Sequence, residues 1–123
     1  MSAFQSQALD AIAFQLVAAL DQYDRDAGAM VDTWLDMDLY RRVSEEIEEI
    51  RMYSAALPQL SVHWVELLIA HAELVHSLWR LRFREIEADR GRLAEVRERH
   101  TDCVKALRGR CLRVLARGVQ RTG

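Results

Sequence analysis

Proline occurs once, at Pro58, and cysteine only at Cys103 and Cys111, in a chain of 123 residues with five glycines. There is neither an internal repeat nor a low-complexity segment. No stretch of about 18 uncharged apolar residues is present, which excludes a transmembrane helix. The opening run MSAFQSQALDAIAF has no early positive charge and carries Asp10, so it does not read as a secretory signal. Two cysteines without such a signal point to reduced thiols in a cytoplasm. Lysine is scarce as well: one Lys stands against 16 Arg, the bias of a GC-rich coding genome. Catalytic signatures are missing too. The chain holds no glycine-rich phosphate loop, no Gly-x-Ser-x-Gly and no His-Glu-x-x-His. It therefore reads as a non-enzyme, and no cofactor is expected.

What is present is helical periodicity. Half the residues are apolar and 29% are charged, the balance of a globular protein of one domain. Apolar residues recur every three or four positions almost throughout, and no run alternates as a strand would. The spacing predicts helices over about 3–26, 38–57, 60–88 and 92–117, an all-α antiparallel bundle of four helices. Leu9, Ile12, Leu16, Ala19, Leu20 and Tyr23 make the first stripe, widened by Phe4, Phe14 and Val17. Gly28 is the expected interruption. Asp36 or Asp38 can cap the second helix, whose stripe is Leu39, Val43, Ile47, Ile50 and Leu57. Pro58 ends it. The third carries two stripes: Leu60, Trp64, Leu67, His71, Leu74, Leu78 and Leu81, and beside it Val65, Leu68, Ala72, Val75, Trp79, Phe83 and Ile86. Apolar over half its circumference, it is expected to be the most buried helix. The fourth is striped by Leu93, Val96, His100, Cys103, Leu107, Cys111 and Val114, with Gly91 as the turn before it; the alternative is one helix from 60 to about 117, since Trp79, Ile86, Leu93, His100, Leu107 and Val114 recur every seven residues.

Charge is unevenly distributed. Residues 1–60 hold 11 acids and 4 bases, whereas residues 61–123 hold 8 acids and 13 bases. After Asp102 come six bases and no acid. Two halves packed with complementary flanks explain this most simply. A nucleic-acid-binding accessory protein using the basic C-terminal half is an alternative. The overall pI near 6.1 speaks against it.

Three of the four histidines lie in HWVELLIAHAELVHSLWRLRF, residues 63–83. Glu73 and His76 share a helix side at the spacing used in di-iron bundles, but no second Glu-x-x-His exists to complete such a site. His71 and His100 occupy apolar-stripe positions on neighbouring helices, and Cys103 lies one turn from His100. Together they form the alternative metal or haem site, against the simpler reading of core histidines held by hydrogen bonds. In WRLRFRE the aromatics Trp79 and Phe83, with Arg80 and Arg84 beside them, are the candidate partner-binding residues.

The order of DTWLDMDLYRRVSEEIEEIRMYSAALPQL followed by LLIAHAELVHSLWRLRFREIE resembles the FliT-type flagellar export chaperones over roughly residues 15–90. The resemblance implies a bacterial, cytoplasmic, all-helical protein that binds a secreted filament protein or a regulator through an apolar helix face. The cysteine-bearing basic end, Lys105 to Arg121, departs from that family. The expected function is a helical interaction protein (a secretion chaperone, adaptor or regulator) with a protein partner or a second copy of itself.

Overall fold

The first apolar stripe is long enough to carry a helix well past Gly28. In the computed structural model, which describes residues 3–84 and 88–122, α1 runs unbroken over Ala3–Asp32. Gly28 sits inside it because its neighbours Ala27, Met30 and Val31 are buried, and that packing outweighs the helix cost of one glycine. Phe4 and Phe14, read as part of the stripe, stand in solvent instead. They lie too far round the helix from Leu16 and Leu20 to reach the core.

The end of α1 is unusual. Trp34 N–H donates to the Val31 carbonyl and Leu35 N–H to the Met30 carbonyl, the pair of bonds that closes a helix with a left-handed residue. Glycine normally takes that place, but here Trp34 and Leu35 hold it with φ of 55° and 70°. Arg82 from the third helix donates to the carbonyls of Trp34 and Leu35 themselves, at 3.2 and 2.6 Å, and fixes the corner. Leu35 is fully buried, whereas Trp34 is 49% exposed, with the Arg90 guanidinium 5.9 Å from its ring centre. A left-handed residue bearing a Cβ costs about 1–2 kcal/mol. Trp34→Gly is therefore expected to stabilise the protein by about 1 kcal/mol, a rise in Tm of about 4 °C. Thermal unfolding checks it, and a lower Tm would show that the Trp34 ring packs more strongly than the strain costs.

Helix α2 spans Met37–Ala55. Asp36 caps it, its carboxylate accepting from the Asp38 and Leu39 amides at 3.0 Å each. It buries Val43, Ile47, Ile50 and Ser54, and its opposite side is charged. Pro58 opens a single 3₁₀ turn, Pro58–Leu60, that leads into α3, Ser61–Arg84. Helix α4 covers Ala88–Thr122. Gly91, read as the turn before this helix, lies within it, and no glycine among the described residues has positive φ. Residues 85–87, between α3 and α4, lie outside the described residues, and with them Ile86 of the second stripe.

Among the described residues the architecture is thus all-α, a bundle of four helices. One core cluster unites Leu16, Leu20 and Met30 of α1, Val43 and Ile50 of α2, Leu67, Leu74 and Leu78 of α3, and Val96, Val104 and Leu107 of α4. Helix α4 packs along both α3 and α1, α1 packs on α2, and α2 meets α3 only sparsely. Complementary charges join the halves as expected: Arg108 pairs with Asp21 at 2.8 Å, and Arg97 with Asp32 at 3.2 Å.

Candidate partner-binding face and the buried histidine pair

The first stripe of α3 goes where the sequence places it. Leu67, Leu74, Leu78 and Leu81 are buried and Trp64 is half-buried against the same core. Most of the second stripe does not, although Val75 packs against the core. Val62, Val65, Leu68, Ile69, Trp79 and Phe83 are exposed by 65, 48, 41, 55, 38 and 56%. Ala72 and His76 lie among them, also exposed. The reason is geometric. Each helix of a four-helix bundle turns an outer face to solvent, and the thin α2–α3 contact covers only one edge of α3. An apolar arc of half the circumference must then extend onto the outside.

The outer face of α2 behaves differently. There Arg41, Arg42, Glu45, Glu48, Glu49 and Arg51 are exposed, the ordinary composition of a solvated helix surface. On α3 the same kind of outward side carries exposed apolar residues from Val62 to Phe83, about six turns and roughly 30 Å, with His76 set among them.

Two of the four candidate partner-binding residues form a defined platform. Trp79 and Phe83 stack with ring centres 4.5 Å apart, and Tyr40 of α2 meets Trp79 edge-on at 6.3 Å. The Arg82 guanidinium lies 5.5 Å from the Phe83 ring centre. Arg84 is exposed beside them, whereas Arg80 is half-buried and already engaged. Holding the rings edge-on and stacked lowers the ordering cost of binding an apolar partner there.

The stripe histidines meet inside the bundle. The Tyr23 hydroxyl lies 2.7 Å from Nδ1 of His71 and 2.7 Å from Nε2 of His100. Tyr23 is fully buried and His100 is 3% exposed. A phenol carries one proton, so it donates to one imidazole and accepts the N–H of the other. Either arrangement satisfies the hydroxyl and both nitrogens, and in each the ring that accepts the phenol proton must be neutral. Burial supplies that state. It holds His71 below its ordinary value and, with the His71 and Arg97 charges adding to it, takes His100 down to about 4. Burial also pushes the Tyr23 phenol up, so its proton stays in place. The nitrogens that face each other across the core are thus occupied by a hydroxyl.

Cys103 does not join them. It faces a shallow depression on the α3–α4 surface with Glu66, Ile69, Ala70 and Arg99. Burial first, and then the Glu66 and Asp102 charges, raise its thiol above the ordinary range, and burial takes the Cys111 thiol up to about 11. Neither is poised as a thiolate nucleophile or ligand. Among the described residues no group of three His, Cys, Asp or Glu side chains is disposed to hold a metal ion. The sequence pair Glu73 and His76 is divided as well: Glu73 accepts from Arg99 at 2.7 Å, and His76 points to solvent.

Sequence reading missed the part played by Tyr23. The signal was available, since a tyrosine in a core stripe brings a hydroxyl that needs a buried partner, and two stripe histidines were the polar groups at hand. It also missed a second buried contact. Asp26 of α1 is 7% exposed and hydrogen-bonds to Gln22 at 3.0 Å, with the Arg42 guanidinium at 3.8 Å. The Glu46 carboxyl of α2 faces it. Burial first, then the hydrogen bond and charge of Asp26, push Glu46 up to about 8. Burial opposes the Asp26 charge, but the hydrogen bonds from Glu46 and Gln22 outweigh it and hold that carboxyl below its usual range. The opposite shifts favour a neutral Glu46 facing an ionised Asp26.

Comparison with protein-family models, with curated proteins and with solved structures gives no match.

Proposed function

We propose that this chain is a non-enzymatic interaction protein that seats an apolar partner segment on the outer face of α3. The observation that supports this reading is the contrast between the apolar outside of α3 and the charged outside of α2. A contiguous exposed apolar strip is costly in a monomer and marks an interaction site. Its length suits a helix lying along a helix, with anchors at spacings of three and four. The Trp79–Phe83 stack forms the anchor at one end, flanked by Arg84. Chaperones, adaptors and regulators of secretion work through such faces, in keeping with the FliT-type resemblance of residues 15–90. The buried Tyr23–His71–His100 group serves the fold in this reading, fixing α1, α3 and α4 in one register.

The test is a charge placed in the strip. Ile69→Glu with Phe83→Glu changes two exposed positions, so Tm is expected to hold or rise slightly. Affinity capture on the wild-type chain, repeated with the double variant, should retain a protein partner with the first and lose it with the second. Sedimentation run in parallel reports whether that partner is a second copy. The reading fails if the folded double variant keeps the same partner, or if the wild-type chain stays monomeric and captures nothing.

A further inference from the structure

The complementary packing of acidic and basic halves accounts for only part of the C-terminal charge. Arg97 and Arg108 turn towards α1 and meet Asp32 and Asp21. Lys105, Arg110 and Arg113 line a cleft at the start of α3, and among the described residues none of the three forms an ion pair, although Lys105 also borders a depression that holds Glu98 and Asp102. The three bases and His63 surround the cleft, of about 340 Å³. Its remaining lining is Ala106 and Gly109, so no acid contributes to it. Arg110 donates from Nε to Nε2 of His63 at 3.0 Å, which pins the guanidinium and leaves both terminal nitrogens for a ligand. The ring proton of His63 is then on Nδ1, a buried nitrogen with no hydrogen-bond partner among the described residues.

Two features argue against an ordinary solvated flank. Like charges three residues apart on a helix, as in Arg110 and Arg113, destabilise it by a few tenths of a kcal/mol, roughly 0.2–0.5. A cation near a helix C-terminus offsets this only within the last turn, and Arg113 precedes the end of α4 at Thr122 by more than two turns. Then there is Gly109. In mid-helix a glycine costs roughly 1 kcal/mol against alanine. At Gly109 a Cβ would meet nothing within 4 Å, so packing does not demand the glycine. What it provides is a floor without a side chain beneath three cations, where a ligand can approach the helix backbone.

We infer that Lys105, Arg110, Arg113 and His63, over Gly109, form a binding site for the phosphate group of a small phosphorylated ligand. Three converging cations suit an oxyanion of more than one charge with several acceptor oxygens, whereas one forked arginine suffices for a carboxylate. This site is independent of the apolar face of α3, and neither stands or falls with the other.

Calorimetric titration of the full chain with pyrophosphate at constant ionic strength tests it, with acetate as the carboxylate control. Pyrophosphate should bind saturably, one per chain, and acetate should not. Arg113→Gln and Gly109→Glu should each weaken binding about tenfold or more. Arg41→Gln, which removes an exposed base on α2, should change it less than about twofold. All three positions are exposed or open, so circular dichroism should show folded variants. The assignment is overturned if no saturable binding occurs at millimolar pyrophosphate. It is equally overturned if Arg41→Gln weakens binding as much as Arg113→Gln, or if acetate binds as tightly. Binding of a single-stranded oligonucleotide with a steep salt dependence, and not of pyrophosphate, would overturn it too and assign the cleft to a nucleic-acid backbone.

Discussion

Tyr23→Phe is expected to destabilise the bundle by about 3 kcal/mol, although it removes one oxygen atom. The loss is large because the hydroxyl serves two buried nitrogens, at 2.7 Å each. Phenylalanine keeps the ring and its packing but leaves both imidazole nitrogens without that partner. Leaving a buried polar group unsatisfied costs about 1–3 kcal/mol, and here two are left at once. Urea denaturation of wild type and variant measures the difference. The triple variant Tyr23→Phe, His71→Leu, His100→Leu separates the hydrogen bonds from packing. It should recover most of the loss, since replacing all the polar partners with apolar groups can be close to neutral. A single variant within about 0.5 kcal/mol of wild type would contradict the buried arrangement.

The second large effect is on pH. His100 titrates near 6.5 in the unfolded chain and at about 4 in the fold, and burial lowers His71 as well. Their depressed folded values mean that their contribution is complete above about pH 6.5 and is lost as the pH falls towards 4. For His100 alone the loss is of the order of 3 kcal/mol. Asp26, also depressed, adds to the loss at still lower pH. Glu46 acts in the opposite sense. Its folded value, about 8, lies above its ordinary 4.5, so the fold prefers it protonated. Its contribution is complete below 4.5 and is lost as the pH rises through 8. Glu46 is only half-buried, so solvent screening softens this limb.

The two slopes oppose each other and should cancel near pH 6.5, where stability is expected to peak. Denaturation midpoints taken from pH 4.5 to 9 would trace the curve. Glu46→Gln should flatten the alkaline limb and, by removing the opposing slope, steepen the acid limb between pH 4.5 and 6.5. Equal stability of the wild type at pH 6.5 and 8.5 would mean that Glu46 is not held neutral beside Asp26.

Local signals in the sequence were enough to locate α2 and the entry into α3. Asp36 caps as its position suggests, Pro58 stops α2, and a new helix starts three residues later because a single 3₁₀ turn follows the proline. Each is a property of neighbouring residues, with no partner helix needed. Gly28 and Gly91 misled for the complementary reason. A glycine costs a helix only about 1 kcal/mol, less than the burial of a few flanking side chains returns. Trp34 and Leu35 gave no local signal at all, because a left-handed corner without glycine exists only where Arg82, 47 residues further on from Leu35, holds its carbonyls.

The candidate site divides along the same line. The excess apolar width of α3 was legible, as were the unbalanced bases after Asp102, because both are matters of composition along one helix. Which stripe faces inward, which bases find acids, and that His71 and His100 converge on Tyr23 and not on Cys103 are relations between helices far apart in the chain. Periodicity fixes the rotation of each helix about its own axis, and so determined that this protein is all-helical with apolar stripes at known positions. Only the packed bundle decided which neighbour each stripe meets, because the bundle offers one interior to four helices and leaves whatever exceeds it on the surface.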